Sequence, residues 1–174
     1  EEALALREAG PEDIAILKQA LDKQREYLSL IPGGGAEAHQ RQVNLDERYQ
    51  NLAAEPLRIE SLDLEEQAEQ LAAKEDYENA RSKFREAYRK QKQINESYPL
   101  SSAYNVGRAT RLERQARYLM AVPLLQRSLT LEAEADTFIE AQGWAQAEER
   151  LQQSMAIQDQ LNREYRGTNQ ASVA

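Results

Sequence analysis

Apolar side chains recur along this chain at intervals of three and four residues, the period that lines one face of an α-helix. After Gly10-Pro11, the residues Ile14, Leu17, Leu21, Leu28 and Ile31 fall on one such face, and the segment stops at Pro32-Gly33-Gly34-Gly35. Pro11 suits a first-turn position because its missing N–H would have no partner there. A second helix is predicted from about Ala36 to Ala54 with Val43, Leu45, Tyr49 and Leu52, and Pro56 is expected to interrupt it. Its counterpart runs from about Ser102 to Ala121 and meets Pro123. The segment Leu57 to Lys74 carries Leu57, Leu62, Leu64, Ala68 and Leu71, and Tyr77 to Ser97 carries Tyr77, Ala80, Phe84, Ala87 and Ile94, both at helical spacing. Glu75-Asp76 and Gln142-Gly143 are expected to form short turns, while Tyr98-Pro99 and Arg166-Gly167 close the periods. Asp63-Leu64-Glu65-Glu66 also reads as a helix start with a capping box. The region around Pro56 therefore allows either three helices per period or four shorter ones.

The pattern repeats. Shifted by 67 positions without a gap, Pro56-Leu57 aligns with Pro123-Leu124, and Ser61-Leu62-Asp63-Leu64-Glu65 with Ser128-Leu129-Thr130-Leu131-Glu132. Residues 36–101 give 17 identities at this offset, against roughly five expected for so biased a composition. Tyr77 to Trp144, Leu71 to Phe138 and Phe84 to Leu151 are conservative exchanges at apolar positions. The N-terminal stretch fits the same register, with Leu4 on Leu71, Ala20 on Ala87, Gln24 on Gln91 and Pro32 on Pro99. The chain therefore reads as all-α, with two full 67-residue units and a truncated N-terminal one: about 1–32, 33–99 and 100–166 of a single domain over 1–168, followed by a flexible tail at 169–174. Because the chain starts partway through a repeat, further protein or a partner is expected to precede Glu1.

Leu64, Ala68, Leu71, Tyr77, Ala80, Phe84 and Ala87, repeated as Leu131, Ala135, Phe138, Trp144, Ala147, Leu151 and Ser154, stand at the spacing of the tetratricopeptide repeat (TPR). The chain resembles that family over these segments, and 67 is close to two of its 34-residue hairpins. Ala68 and Ala135 stand where the family has a glycine, and the intervening half of each unit follows the pattern poorly. The resemblance implies a right-handed array of antiparallel helix hairpins that binds peptides or proteins in a groove lined by its first helices.

Composition narrows the function. A net charge of -8 and a pI near 4.9 argue against nucleic-acid binding, which needs a basic surface. No apolar run approaches the length that spans a bilayer. Without cysteine there is neither a disulfide framework nor a thiolate metal site. His39 is the only histidine and has no helical metal partner, so no metal and no cofactor are expected. No serine sits in a nucleophile-elbow context. Glu65, Glu66 and Glu69, like Glu148 and Glu149, read as exposed helix charges, and Tyr77, Phe84, Phe138 and Trp144 as core packing. Gly33-Gly34-Gly35 reads as a flexible connection, because it lacks the strand and the Gly-Lys-Ser/Thr ending of a phosphate loop. The chain is thus not expected to be an enzyme. A first residue other than Met fits loss of a signal peptide, hence a bacterial periplasmic or secreted protein. A cytoplasmic protein, a trimmed chain or a domain cut from a longer one fits it as well.

Charge is segregated along the chain. Residues 1–80 carry 8 basic and 19 acidic side chains, residues 81–127 carry 11 and 3, and residues 128–174 carry 3 and 8. Within the basic block Tyr104, Arg108, Arg111 and Gln115 have the spacing of one helical face, beside the stripe of Ala109, Leu112, Ala116 and Leu119. Arginine beside tyrosine suits forked hydrogen bonds to a carboxylate. These four residues are the expected contact site for a protein or peptide partner with acidic character; the alternative reading of the same charge clustering is an ordinary solvated helix surface. The competing expectations are a self-assembling structural element, built by stacking of exposed repeat ends, and an accessory domain of a larger enzyme or complex.

Overall fold

A computed structural model describes residues 10–31 and 35–166, which form five α-helices and no strand. The expectations placed on Leu4, on Pro32 to Gly34, on Gly167 and on the tail at 169–174 lie outside the described residues. The helices are α1 (Pro11–Leu30), α2 (Ala36–Ala73), α3 (Tyr77–Ser97), α4 (Val106–Glu140) and α5 (Trp144–Glu164). Their bounds carry the 67-residue register: α3 maps onto α5 residue for residue, and α1 falls on the same part of the period.

Each period holds two helices, not three or four, because neither proline breaks its helix. α2 runs through Pro56 and α4 through Pro123. A proline removes one N–H from the ladder and leaves the carbonyl four residues back without its donor. Both prolines are exposed, so their rings stand on the solvent side of the helix. The buried stripe meanwhile passes the proline unbroken, through Ala54, Ser61, Glu65 and Ala68 in α2 and through Ala121, Ser128, Leu131 and Ala135 in α4. Asp63 to Glu66 is accordingly mid-helix, and the capping-box reading does not hold.

The turns after the long helices are built alike. Glu75 and Gln142, 67 residues apart, have φ of 61° and 60°. The N–H of Asp76 donates to the Leu71 carbonyl at 3.0 Å, and that of Gly143 to the Phe138 carbonyl at 2.7 Å. This is the Schellman arrangement, which caps the last carbonyls of a helix and favours glycine at the left-handed position. A side chain there is strained by about 1 kcal/mol, part of which glycine returns through its greater freedom when unfolded. Glu75→Gly and Gln142→Gly are each expected to raise stability by about 0.5 kcal/mol, read from the midpoint of urea denaturation.

The chain divides into two compact units, one within Glu1–Leu62 and Arg89–Val106, the other within Asp63–Tyr88 and Gly107–Ala174. In the first, Gln24 donates to the Ala38 carbonyl (3.0 Å), and Arg25 pairs with Asp46 (3.1 Å). The fully buried Gln91 donates to the Ala103 carbonyl at 2.9 Å and to Asn95 at 3.0 Å. Gln24 and Gln91 share a register, so the repeat uses one glutamine position to bond a backbone carbonyl further along the chain, after α1 and after α3 alike. Asn51 Oδ1 accepts from the Ser102 N–H (2.7 Å), and Lys90 pairs with Glu60. In the second unit α4 and α5 run antiparallel, since Glu134 meets Arg150, Ser128 meets Ser154, and Ala121 packs with Leu161. Among the described residues no helix is long and apolar enough to cross a membrane.

Candidate helix-docking surface

The second unit holds a helix already docked on a hairpin. Ala68, Ala80, Phe84 and Ala87, from the end of α2 and the start of α3, form one buried cluster with Leu112, Ala116 and Leu119 of α4. Leu64, Leu71, Ala72, Tyr77 and Tyr88 pack against it. Alanines at 68, 80 and 87 let the backbones approach closely, while Phe84, Tyr77 and Tyr88 fill the space over the crossing helix. α4 binds by residues at 109, 112, 116 and 119, one apolar stripe. Its flanking arginines meet a single carboxylate: Arg108 donates to Glu65 Oε2 at 2.6 Å, and Arg111 Nη1 lies 2.6 Å from Oε1. Tyr77 is reached by Gln126, which donates to its hydroxyl at 3.4 Å. Glu65 is therefore buried rather than an exposed helix charge, whereas Glu66 and Glu69 are exposed. The reason lies 43 residues away in α4, whose arginines offset the desolvation of the carboxylate.

The α4–α5 hairpin presents the same register with no helix over it among the described residues. Ala135 and Ala147 are buried, as Ala68 and Ala80 are in the first copy. Phe84 is 4% exposed, but its counterpart Leu151 is 40% exposed; Trp144 and Met155, at the positions of Tyr77 and Tyr88, are 65% and 67% exposed. Ile139, at the position of Ala72, is exposed too. Trp144 was expected in the core and is not there. Its position is a core position only where a helix of the α4 kind covers the hairpin. Phe138 is half-buried.

Glu132, the counterpart of Glu65, is exposed and held by a short chain of hydroxyls. Ser154 Oγ donates to Glu132 Oε1 at 2.7 Å, and Ser128 Oγ lies 2.8 Å from Ser154 Oγ, both serines being buried. Ala87 stands at the register of Ser154 in the first copy, so this carboxylate contact is particular to the second.

Of the four residues expected to contact a partner, Arg108 and Arg111 come together on Glu65, and an acidic peptide there would have to displace that carboxylate. α4 begins at Val106, later than expected, so Tyr104 lies in the connection before the helix and within the first compact unit. It is exposed, as is Gln115 on α4. Arg117 donates to the Glu164 carbonyl at 3.0 Å, at the end of α5. His39 is exposed near the start of α2, with Nδ1 3.4 Å from the Gly35 carbonyl. Trp144, Leu151, Met155, Glu132 and Ser154 were not singled out from the sequence as a surface. The signal lay in the register: Tyr77, Phe84 and Tyr88, which the stripe of Leu112, Ala116 and Leu119 covers, recur as Trp144, Leu151 and Met155. Comparison of the chain with family models, curated proteins and solved structures finds no match.

Proposed function

We propose that this chain is a non-catalytic, TPR-like protein-interaction module whose α4–α5 hairpin takes a helix from a partner protein. The observation that supports it is the exposure of Trp144, Leu151 and Met155 at positions where the first copy has Tyr77, Phe84 and Tyr88 packed against α4. Fully burying an exposed large apolar side chain contributes about 1.5–3 kcal/mol, and these three, 40–67% exposed, retain part of that gain as an anchor set on one hairpin. Helix-in-groove recognition uses anchors at i, i+3, i+4 and i+7 spacing, the pattern by which α4 already binds its own hairpin. The TPR resemblance supports the same reading, since such arrays act by presenting helical surfaces to other chains.

Trp144 is the only tryptophan and reports directly on the surface. A synthetic peptide spanning residues 106–121, which contains no tryptophan, is expected to shift the emission of the whole chain to the blue and to saturate. Leu151→Glu combined with Met155→Glu, at exposed positions that leave the fold intact, should abolish the shift. An emission spectrum unmoved by peptide up to about 1 mM would sink the proposal.

A further inference from the structure

The first hairpin accepts α4 through one carboxylate as well as through apolar contact, because Glu65 holds both Arg108 and Arg111. The second hairpin keeps that carboxylate at the same register as Glu132, and fixes it with Ser154, which takes a hydroxyl contact from Ser128. Glu132 pairs with no arginine among the described residues, and Ser154, itself bonded to Ser128, holds it on the same hairpin that exposes Trp144, Leu151 and Met155. A charge acceptor held in place before binding loses less entropy when its partner arrives. The surroundings have the matching sign. Residues 128–174 carry 8 acidic and 3 basic side chains, and Asp136 and Glu148 are exposed on the same two helices. That charge opposes a second copy of this face and attracts a basic segment.

Resting on the interaction-module reading above, we infer that the occupant of the α4–α5 surface is a cationic amphipathic helix. It has arginines at two positions three apart and apolar residues following each of them, the pattern of Arg108, Ala109, Arg111 and Leu112. Glu132 receives the arginines, and Ser154 positions Glu132.

The test uses the whole chain, the 106–121 peptide and a second peptide with Arg108→Gln and Arg111→Gln, read by Trp144 emission. Glu132→Gln is expected to weaken the arginine peptide about tenfold and to leave the glutamine peptide unchanged. Ser154→Ala should weaken the arginine peptide severalfold in the native background and not at all in Glu132→Gln, a pattern that mere loss of packing would not give. Thermal melts confirm that each variant is folded. If both peptides bind equally and Glu132→Gln has no effect, the inference is overturned while helix docking stands. If neither peptide moves the emission, both are overturned. Sedimentation of the chain alone should show one species over the same concentrations; association abolished by Leu151→Glu would assign the surface to a second copy and overturn the inference.

Discussion

Leu112→Ala is expected to destabilise the chain by about 3 kcal/mol, the middle of the range for a leucine truncated in a closed core. Leu112 is fully buried among Ala68, Ala80, Phe84 and Ala87. Three of these neighbours are alanines, too short to move into the space, so most of the cavity persists. Leu45, 67 residues earlier, has the same place in its repeat but is only half-buried. Leu45→Ala should therefore cost about half as much, following the area it hides from water. Urea denaturation of both variants by circular dichroism checks the pair. Equal losses would mean that the two long helices are covered to the same extent, against the burial described.

Glu65→Gln is expected to cost about 2–3 kcal/mol. The carboxylate accepts from Arg108, which is almost fully buried, and pairs with Arg111, which is half exposed. Removing one member of a buried pair leaves the other charge desolvated without compensation, which costs about 3–5 kcal/mol in closed sites. The exposure of Arg111 reduces that figure, because water reaches its guanidinium. Glu132→Gln, at the same register in the next copy, should change stability by less than about 0.5 kcal/mol, since its carboxylate is exposed. Chemical denaturation of the two variants side by side distinguishes a carboxylate that holds a docked helix from one that is open to a partner.

The repeat was legible in part because several of its identities fall where packing tolerates little change. Ala68 and Ala135, Ala80 and Ala147, Ser61 and Ser128 are all buried, so the 67-residue offset is an offset between equivalent contacts. The turns at Glu75 and Gln142 were legible for a related reason, a break in the apolar stripe at the same phase. The course of the chain past Pro56 and Pro123 was not, because a proline in sequence does not show which side of the helix it occupies, and on the solvent side the helix continues. Nor did periodicity reveal that Trp144 is exposed. A stripe identifies the face that is apolar, while whether another helix covers it depends on residues far away. The arginines of α4 show the same limit: 108 and 111 stand at the spacing of a recognition face, yet the carboxylate they recognise is Glu65 of the same chain. Part of the charge segregation is also internal, with Lys90 on Glu60, Arg108 and Arg111 on Glu65, and Arg127 on Glu134.

Helix docking on α4–α5 is tested most directly by disulfide trapping, for which a chain without native cysteine is suited. Leu151→Cys places a thiol where Phe84 meets the α4 cluster in the first copy, and Leu112→Cys in the 106–121 peptide supplies its partner. Under mild oxidation the Leu151→Cys chain is predicted to form a disulfide with this peptide, while a chain carrying Ala156→Cys, exposed elsewhere on α5, is not. Equal trapping at both positions, or none at Leu151→Cys, would contradict a helix seated on this hairpin in the register of α4.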